Sequence, residues 1–341
     1  MEFDGRWAEL SGSGGGPRRL AFLLPLLLAV FLALWLGFYA FGAGPAREET
    51  LVYIPPGSSL PAIQRHLVEA GVLRPDRRFR WLALFSGQRQ QLKAGEYAVG
   101  AGASPRQLLA LLASGRTVRR QVTIPEGANL FQVAQLLAEQ KLVDSPDFVA
   151  FATDPATPVR FGLDSPTLEG WLFPDTYYFT RGQRQEEIVR VLVERARRML
   201  TELLAELDNE TGLNERELMT LASIVEKETG LAAERELIAG VFFNRLERRM
   251  RLQTDPTVIY GLQSFDRRLT RQDLRTPTPY NTYLISGLPP GPIANPGREA
   301  IAAVLRPQET DYLYFVSRND GSHHFSRNLR DHNRAVQRYQ R

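Results

Sequence analysis

Residues 51–72, LVYIPPGSSLPAIQRHLVEAGV, and residues 121–142, QVTIPEGANLFQVAQLLAEQKL, carry one pattern twice, 70 positions apart. Ile54, Pro55 and Gly57 match Ile124, Pro125 and Gly127, and Leu60, Ile63, Leu67, Glu69 and Val72 match Leu130, Val133, Leu137, Glu139 and Leu142. Each copy reads as a short strand, a Pro-Gly turn and an amphipathic helix with apolar residues every three or four positions. Between the copies, LKAGEYAVGAGASPRQLLALLASG predicts another strand ending near Val99. A helix over residues 105–113 comes next, with Ser104 as its cap and Gly115 as its stop. Short strands thus alternate with helices, and the expected fold class is α+β.

Upstream of the first copy, residues 20–46 contain no charged side chain. That run exceeds the ~20 residues that cross a bilayer core and is longer than the ~7–15 apolar residues of a cleaved signal peptide. It reads as a transmembrane helix with its flank. Arg6, Arg18 and Arg19 precede it while Arg47, Glu48 and Glu49 come after it, an asymmetry that sets the amino terminus in the cytoplasm and the rest outside. Residues 1–19 read as a Gly- and Ser-rich cytoplasmic stub. The chain has 341 residues and no cysteine, so neither disulfides nor thiolate metal sites hold the exterior part together. Its net charge of +4, carried almost wholly by arginine, is too dispersed to argue for nucleic acid. It suits an anionic polymer or a membrane surface. The strand-helix units of residues 47–119 resemble the LysM fold, a glycan-binding module; the alternative is a pair of generic βα units that space the rest of the exterior chain from the membrane.

Further along, residues 218–230, LMTLASIVEKETG, place a glutamate in the apolar stripe of a helix. Leu218, Leu221, Ala222, Ile224 and Val225 gather on one side at 100° per residue, with Lys227 opposite. Glu228 falls within roughly 20° of Leu221 on the 3.6-residue repeat, whereas Glu226 sits nearer the edge. A carboxyl held against apolar neighbours is harder to ionise, which suits a general acid at neutral pH. Pairing of Glu228 with Lys227 or Arg235 is the plainer alternative. Flanking helices are expected over residues 186–208 and 231–248. Beyond Arg251 the density of Pro, Gly, Thr, Asn and Tyr predicts loops and short strands rather than helix, then a strand, turn, strand and final helix.

Glu169 and Asp175 lie among aromatics in LEGWLFPDTYYF, a mixture that suits a sugar groove; the plainer reading makes Asp175 a turn or cap residue. His323, His324 and His332 are the candidates for a metal site, but no HExxH spacing occurs, and no GxSxG, Walker loop or dinucleotide fingerprint is present. Neither a metal nor a cofactor is expected.

VEKET, LEGWLFPDTY, LQTDPTVIYGL, TPYNTY, SGLPPGPIANPG and HHFSRN with DHN resemble the endolytic murein transglycosylases of the MltG family, also called YceG-like proteins. The resemblance covers the apolar run and essentially all of the chain after it. It implies a single-pass enzyme of the bacterial inner membrane, with a LysM-like module before a periplasmic α+β catalytic domain over residues 120–341. Its implied partners are peptidoglycan glycan strands, the membrane and peptidoglycan synthases such as penicillin-binding proteins. Its implied activity is a cut between N-acetylmuramic acid and N-acetylglucosamine in nascent strands that leaves 1,6-anhydro ends. The second glutamate of its EKET motif, here Glu228, is the implied catalytic residue. Glu169, Asp175, Gln253, Thr254, Asp255, Tyr280, Asn281, Tyr283, His323 and Asn328 are the candidate substrate-binding positions. Two rivals stand beside this reading: a hydrolytic muramidase using Asp175 or Asp255 as a second carboxylate, and a glycan-binding anchor without catalysis.

Overall fold

The structure, a computed structural model, describes residues 16–207, 209 and 211–340, with side chains from residue 24 onward. Most of the expected cytoplasmic stub, residues 1–15, lies outside the described residues. The fold mixes helix and strand, and the chain divides into two compact units between Val118 and Arg119.

The first unit begins with α1 (Gly16–Phe41). Its segment Leu24–Phe41 is 18 residues long and apolar enough to cross a membrane. At 1.5 Å per residue that is about 27 Å, close to the ~30 Å of a hydrocarbon core. Nearly all its side chains are exposed, as a candidate anchor's would be, while Leu36 and Ala40 near its end are buried. Next come β1 (Thr50–Ile54), α2 (Leu60–Glu69), α3 (Arg78–Phe85), β2 (Gly95–Val99) and α4 (Pro105–Ser114). β1 and β2 pair antiparallel, with Val52 opposite Tyr97. α4 has the expected ends: Ser104 and Gln107 form a reciprocal capping box, and Gly115 closes the helix at φ 70°. Ile54, Leu67, Phe79, Tyr97, Leu108 and Leu112 form the core of this unit.

The second unit opens with β3 (Arg119–Thr123), α5 (Leu130–Glu139), α6 (Ser145–Thr153), α7 (Ala156–Arg160) and β4 (Thr176–Thr180). β4 returns antiparallel to β3, with Tyr177 opposite Val122. The repeat therefore extends further than the sequence match: in both copies the strand, turn and helix continue into another helix and a strand that pairs back. α8 (Gln185–Glu206), α9 (Glu215–Glu228), α10 (Arg235–Glu247), α11 (Asp255–Leu262), α12 (Arg298–Leu305), β5 (Tyr314–Ser317), β6 (His323–Ser326) and α13 (Leu329–Tyr339) complete the unit. β5 and β6 form the expected closing hairpin. α9 is its central element, packed against α10, α11 and α12, and every residue from 218 to 225 is buried. Asn214 and Glu217 start α9 with a capping box.

Two expectations are corrected. The helix over residues 231–248 is a 3-10 turn at Ala232–Glu234 followed by α10. The stretch after Arg251 and before the closing hairpin, expected to lack helix, contains α11 and α12. Pro256 falls in the first turn of α11, where its missing N–H breaks no hydrogen bond, and Asp255 favours the positive helix start. Those two signals outweigh the Pro and Gly content around them.

Gly240, inside α10, lies against the chain beyond α12, and a β-carbon built there would sit 2.2 Å from the backbone oxygen of Gln308. Gln308 N–H is itself bonded to Glu236 O at 3.0 Å, so this length of chain cannot withdraw freely. Gly240→Ala should destabilise the protein by about 1–3 kcal/mol, the usual cost of overpacking, measured as a lowered urea midpoint. An unchanged midpoint would mean that this contact yields.

Candidate active site

Glu228 is the last residue of α9, and Thr229 leaves the helix in extended conformation. Three effects disfavour its charge. Burial is the largest, and the adjacent Asp255 adds repulsion; a carboxylate at a helix carboxyl end also faces the negative end of the helix dipole. The Thr254 hydroxyl opposes them by donating to Glu228 Oε1, and His323 and Arg245 contribute favourable charge. The balance leaves the Glu228 carboxyl pushed up to about 7. Neither Lys227 nor Arg235 takes Glu228 as its partner: Lys227 Nζ donates to Gly127 O at 3.1 Å, and Arg235 faces Glu226 at 3.9 Å. Glu226 is pushed up by burial and accepts the Gly297 N–H at 3.0 Å.

Thr254 is fixed by a run of buried threonines. Thr257 Oγ1 donates to Thr254 O at 2.7 Å and lies 2.8 Å from Thr282 Oγ1. With the Thr257 proton committed, Thr282 donates across that contact and accepts the Thr254 N–H at 3.1 Å. Gln253, at φ 50°, bonds through its N–H to Thr282 O at 3.2 Å. Asn281, wholly buried, donates to Leu274 O and Thr276 O and accepts the Tyr283 N–H at 3.0 Å. Tyr283 in turn donates its hydroxyl to Asp255 Oδ1 at 2.7 Å.

Arg245 of α10 supplies a buried cation. Its guanidinium donates to Leu313 O and Leu252 O, both at 2.6 Å, and lies over the Tyr314 ring. Burial lowers its pKa, and the negative charge of Glu228 is among the influences that hold its proton. His323 on β6 is clamped by Glu234, which accepts its backbone N–H at 3.0 Å and meets Nδ1 at 2.7 Å.

The structure therefore gathers Glu228, Thr254, Asp255, Tyr283 and His323, with Gln253 and Asn281 as the frame beneath them. Glu169 and Tyr280 belong to a neighbouring buried cluster. The Glu169 carboxylate accepts the Leu130 N–H through both oxygens, at 3.1 and 2.9 Å, and Asn295 Nδ2 at 3.2 Å. Burial pushes it up to about 8 despite those donors. Tyr280 packs edge-on against Tyr260, 4.9 Å between ring centres. Asp175 is drawn off to α8, where Arg195 Nε donates to it at 2.8 Å and holds it below the usual carboxylate range. Asn328 caps α13, accepting the Asp331 N–H at 3.0 Å. Among the described residues no group of three or more His, Cys, Asp or Glu converges as a metal site would. His323 goes to Glu234, while His332 stacks on Tyr314 and His324 lies by Tyr339.

Arg245, Thr257, Thr282, Asn295 and Glu234 do not stand out in the sequence. Arg245 has a signal there: it stands three and four residues after Phe242 and Val241, on the inner side of its helix. The others are paired through chain reversals that periodicity does not reveal.

An acid near neutrality, a neighbouring carboxylate bonded to tyrosine, and a buried cation make a site suited to general acid and base chemistry in a mixed helix-and-strand domain. Comparison with known proteins names the family. The YceG-like family model matches residues 52–338. An endolytic murein transglycosylase of Bacillus subtilis (strain 168) is 33% identical over 304 residues, covering 84% of each chain. One from Streptococcus pneumoniae (strain D39) is 30% identical over 323 residues, 85% of this chain and 58% of that protein. A crystal structure of a YceG-like protein from Listeria monocytogenes is similar at a TM-score of 0.58 and 32% identity, covering 85% of this chain and all of that one. The chain belongs to the YceG-like family.

The folded Glu228 carboxyl lies near 7 against an ordinary value of 4.5. Its raised pKa means the folded state binds the proton more tightly, so the associated stability is present below the ordinary value and is lost as pH rises through about 7. Glu228→Gln should accordingly be more stable than the parent at pH 8, with the difference closing towards pH 4, in urea titrations across that range. A difference independent of pH would show that Glu228 ionises normally.

Proposed function

We propose that this chain is a membrane-anchored endolytic lytic transglycosylase of peptidoglycan, with Glu228 as its one acid and base. The observation that carries the reading is the Glu228 carboxyl, raised to about 7 at the end of a buried helix and held by a single hydroxyl donor. The names of the relatives from Bacillus subtilis and Streptococcus pneumoniae support the substrate class.

Protonated Glu228 donates to the glycosidic oxygen between N-acetylmuramic acid and N-acetylglucosamine, and the bond from the muramyl C1 to that oxygen breaks. Developing positive charge on the sugar faces Asp255, whose carboxylate Tyr283 orients. The Glu228 carboxylate then accepts the proton of the muramyl C6 hydroxyl as O6 bonds to C1. A 1,6-anhydro end results, no water is consumed, and Glu228 is protonated again. Acid and base roles alternate on one group, which a pKa near the working pH permits. In this scheme Thr254 keeps the carboxyl pointed and limits how far its pKa rises, while Gln253, Asn281, Tyr280, His323 and Asn328 line or support the groove walls. Residues 47–119 serve as the LysM-like glycan-binding module, a reading supported by their paired strands enclosing two helices. Residues 120–341 serve as the catalytic domain, and nascent strands beside peptidoglycan synthases are its substrate.

A hydrolytic muramidase is the second reading, because Asp255 lies close enough to Glu228 to raise its pKa and a hydrolase uses two carboxylates. Product ends separate the two. Mass spectrometry of uncrosslinked glycan digested by the purified protein should find 1,6-anhydromuramic ends, one water lighter than reducing ends, and chelator should leave the rate unchanged. Reducing muramyl ends would establish the hydrolase, and no released fragments would leave a glycan-binding anchor.

Glu228→Gln should lower cutting by at least the ~100-fold expected for a lost general acid while the fold survives. Near-normal cutting by that variant would transfer the acid role to another group, with Glu226 first in line.

With α1 as the anchor, reporter fusions placed after Arg47 should report the periplasm, and the mature chain should retain residues 20–46. A cytoplasmic signal, or a mature chain starting near Ala46, would overturn the topology.

A further inference from the structure

The first unit carries an apolar stripe that its own core does not use. Trp81, Leu84 and Phe85 on α3 are each at least half exposed, at 51, 50 and 62%. They stand at i, i+3 and i+4, so they share one face, and the Trp81 and Phe85 rings stack with centres 5.9 Å apart. The opposite face of α3 is buried through Phe79 and Ala83. Arg74, Arg77 and Arg80, all exposed, lie just before this stripe.

α3 is also packed against the end of α1. The Arg78 guanidinium lies over both the Trp35 and Tyr39 rings, at 5.1 and 4.5 Å. A cavity of about 610 Å³ opens there, lined by Trp35, Phe38, Tyr39, Leu73, Arg74 and Arg78. Phe38 and Phe41 remain largely exposed and Trp35 partly so at the end of the apolar segment, at the depth where aromatic side chains meet lipid headgroups.

We infer that α3 lies in the membrane interface beside the anchor, inserting Trp81, Leu84 and Phe85 among the lipids while Arg74 and Arg77 bind the headgroups of anionic phospholipids. This inference rests on the reading of α1 as a membrane span. The occupant is the bilayer itself because α3 is held at the end of the apolar segment, where lipid is the nearest apolar phase. An apolar face beside cationic side chains is the pattern of interfacial helices, and each arginine near an anionic surface adds about 1 kcal/mol, roughly fivefold in affinity. The cavity fits the same lipids, with chains against Trp35 and Phe38 and a phosphate beside Arg74, while Arg78 is held by Asp76. The first unit is thereby held flat on the surface from which nascent glycan emerges.

The chain has no cysteine, so one introduced cysteine gives one label. Full-length protein carrying Leu84→Cys, Leu28→Cys or Val159→Cys, each labelled with an environment-sensitive fluorophore, would be reconstituted into phosphatidylcholine vesicles with and without phosphatidylglycerol. Quenching by brominated lipid is then measured. The label at position 84 should be quenched several-fold more than at 159, an exposed site in the other unit, and more strongly with phosphatidylglycerol. Arg74→Gln with Arg77→Gln should reduce that phosphatidylglycerol dependence. Quenching at 28 with none at 84 would overturn the inference while leaving the anchor intact, and absence of quenching at both would overturn the anchor reading and the inference with it. Equal quenching at 84 with and without phosphatidylglycerol would overturn the headgroup assignment.

Discussion

The second unit depends on burying the long middle of α9. Eight consecutive residues of that helix, 218 to 225, are inside the protein, and beyond them Glu226 and Glu228 are half-buried while Lys227 is exposed. A buried helix end needs polar partners for its last carbonyls and for any charged side chain near them. The loops of residues 251–297 supply such partners to its side chains. Thr254 donates to Glu228, the Gly297 N–H to Glu226, and the Ile293 N–H to Ser223 Oγ at 3.0 Å, further back along the same helix. The features that stabilise the helix end are therefore also those that set the ionisation of its acids.

This explains why the same helix is so legible in sequence and its surroundings are not. A 3.6-residue repeat reports which face is buried, and Glu228 betrays itself by standing in the apolar stripe. The β1, β2 and α4 boundaries are legible for similar local reasons: alternation, a Ser cap, a Pro at the first turn, a closing Gly. Thr254, Thr257 and Thr282 carry no such mark. Their role arises from a reversal that brings residue 282 against residue 254, and a threonine in a loop looks the same whether it faces water or completes a buried hydrogen-bond run. α11 is hidden for a different reason, since the average Pro and Gly content of its neighbourhood masks two good helix-start residues. Asp175 and Glu169 show the remaining difficulty. Both are acids amid aromatics, yet one is an ion pair with Arg195 and the other a fully buried acceptor for the start of α5.

The two copies, strand, helices and returning strand, illustrate how one pattern takes two fates. In the first copy Ser59 precedes α2 in extended conformation, with no side-chain hydrogen bond at that cap. In the second copy Leu130, the counterpart of Leu60, gives its N–H to Glu169, and Asn129 and Gln132 form a capping box beside it. The turn before α5 is tied as well: the Gly127 N–H bonds to Asn295 O, the Asn295 N–H to Ala128 O, and its side chain to both Ala128 O and Glu169. Gly127, at φ 71°, is in the left-handed region that a Cβ disfavours.

Those ties connect the repeat to the site. Lys227, which points away from the core of α9, reaches the carbonyl of Gly127, and Asn295 lies on the loop whose next turn, at Gly297, holds Glu226. Asn295 is thus shared between the Pro-Glu-Gly turn, the Glu169 carboxyl and the segment against α9, each contact buried. Burial of one amide with all its hydrogen bonds made costs little, but removing it would strand several partners at once. The second copy of the repeat is in this way less a separate module than a wall against which the carboxyl end of α9 is set.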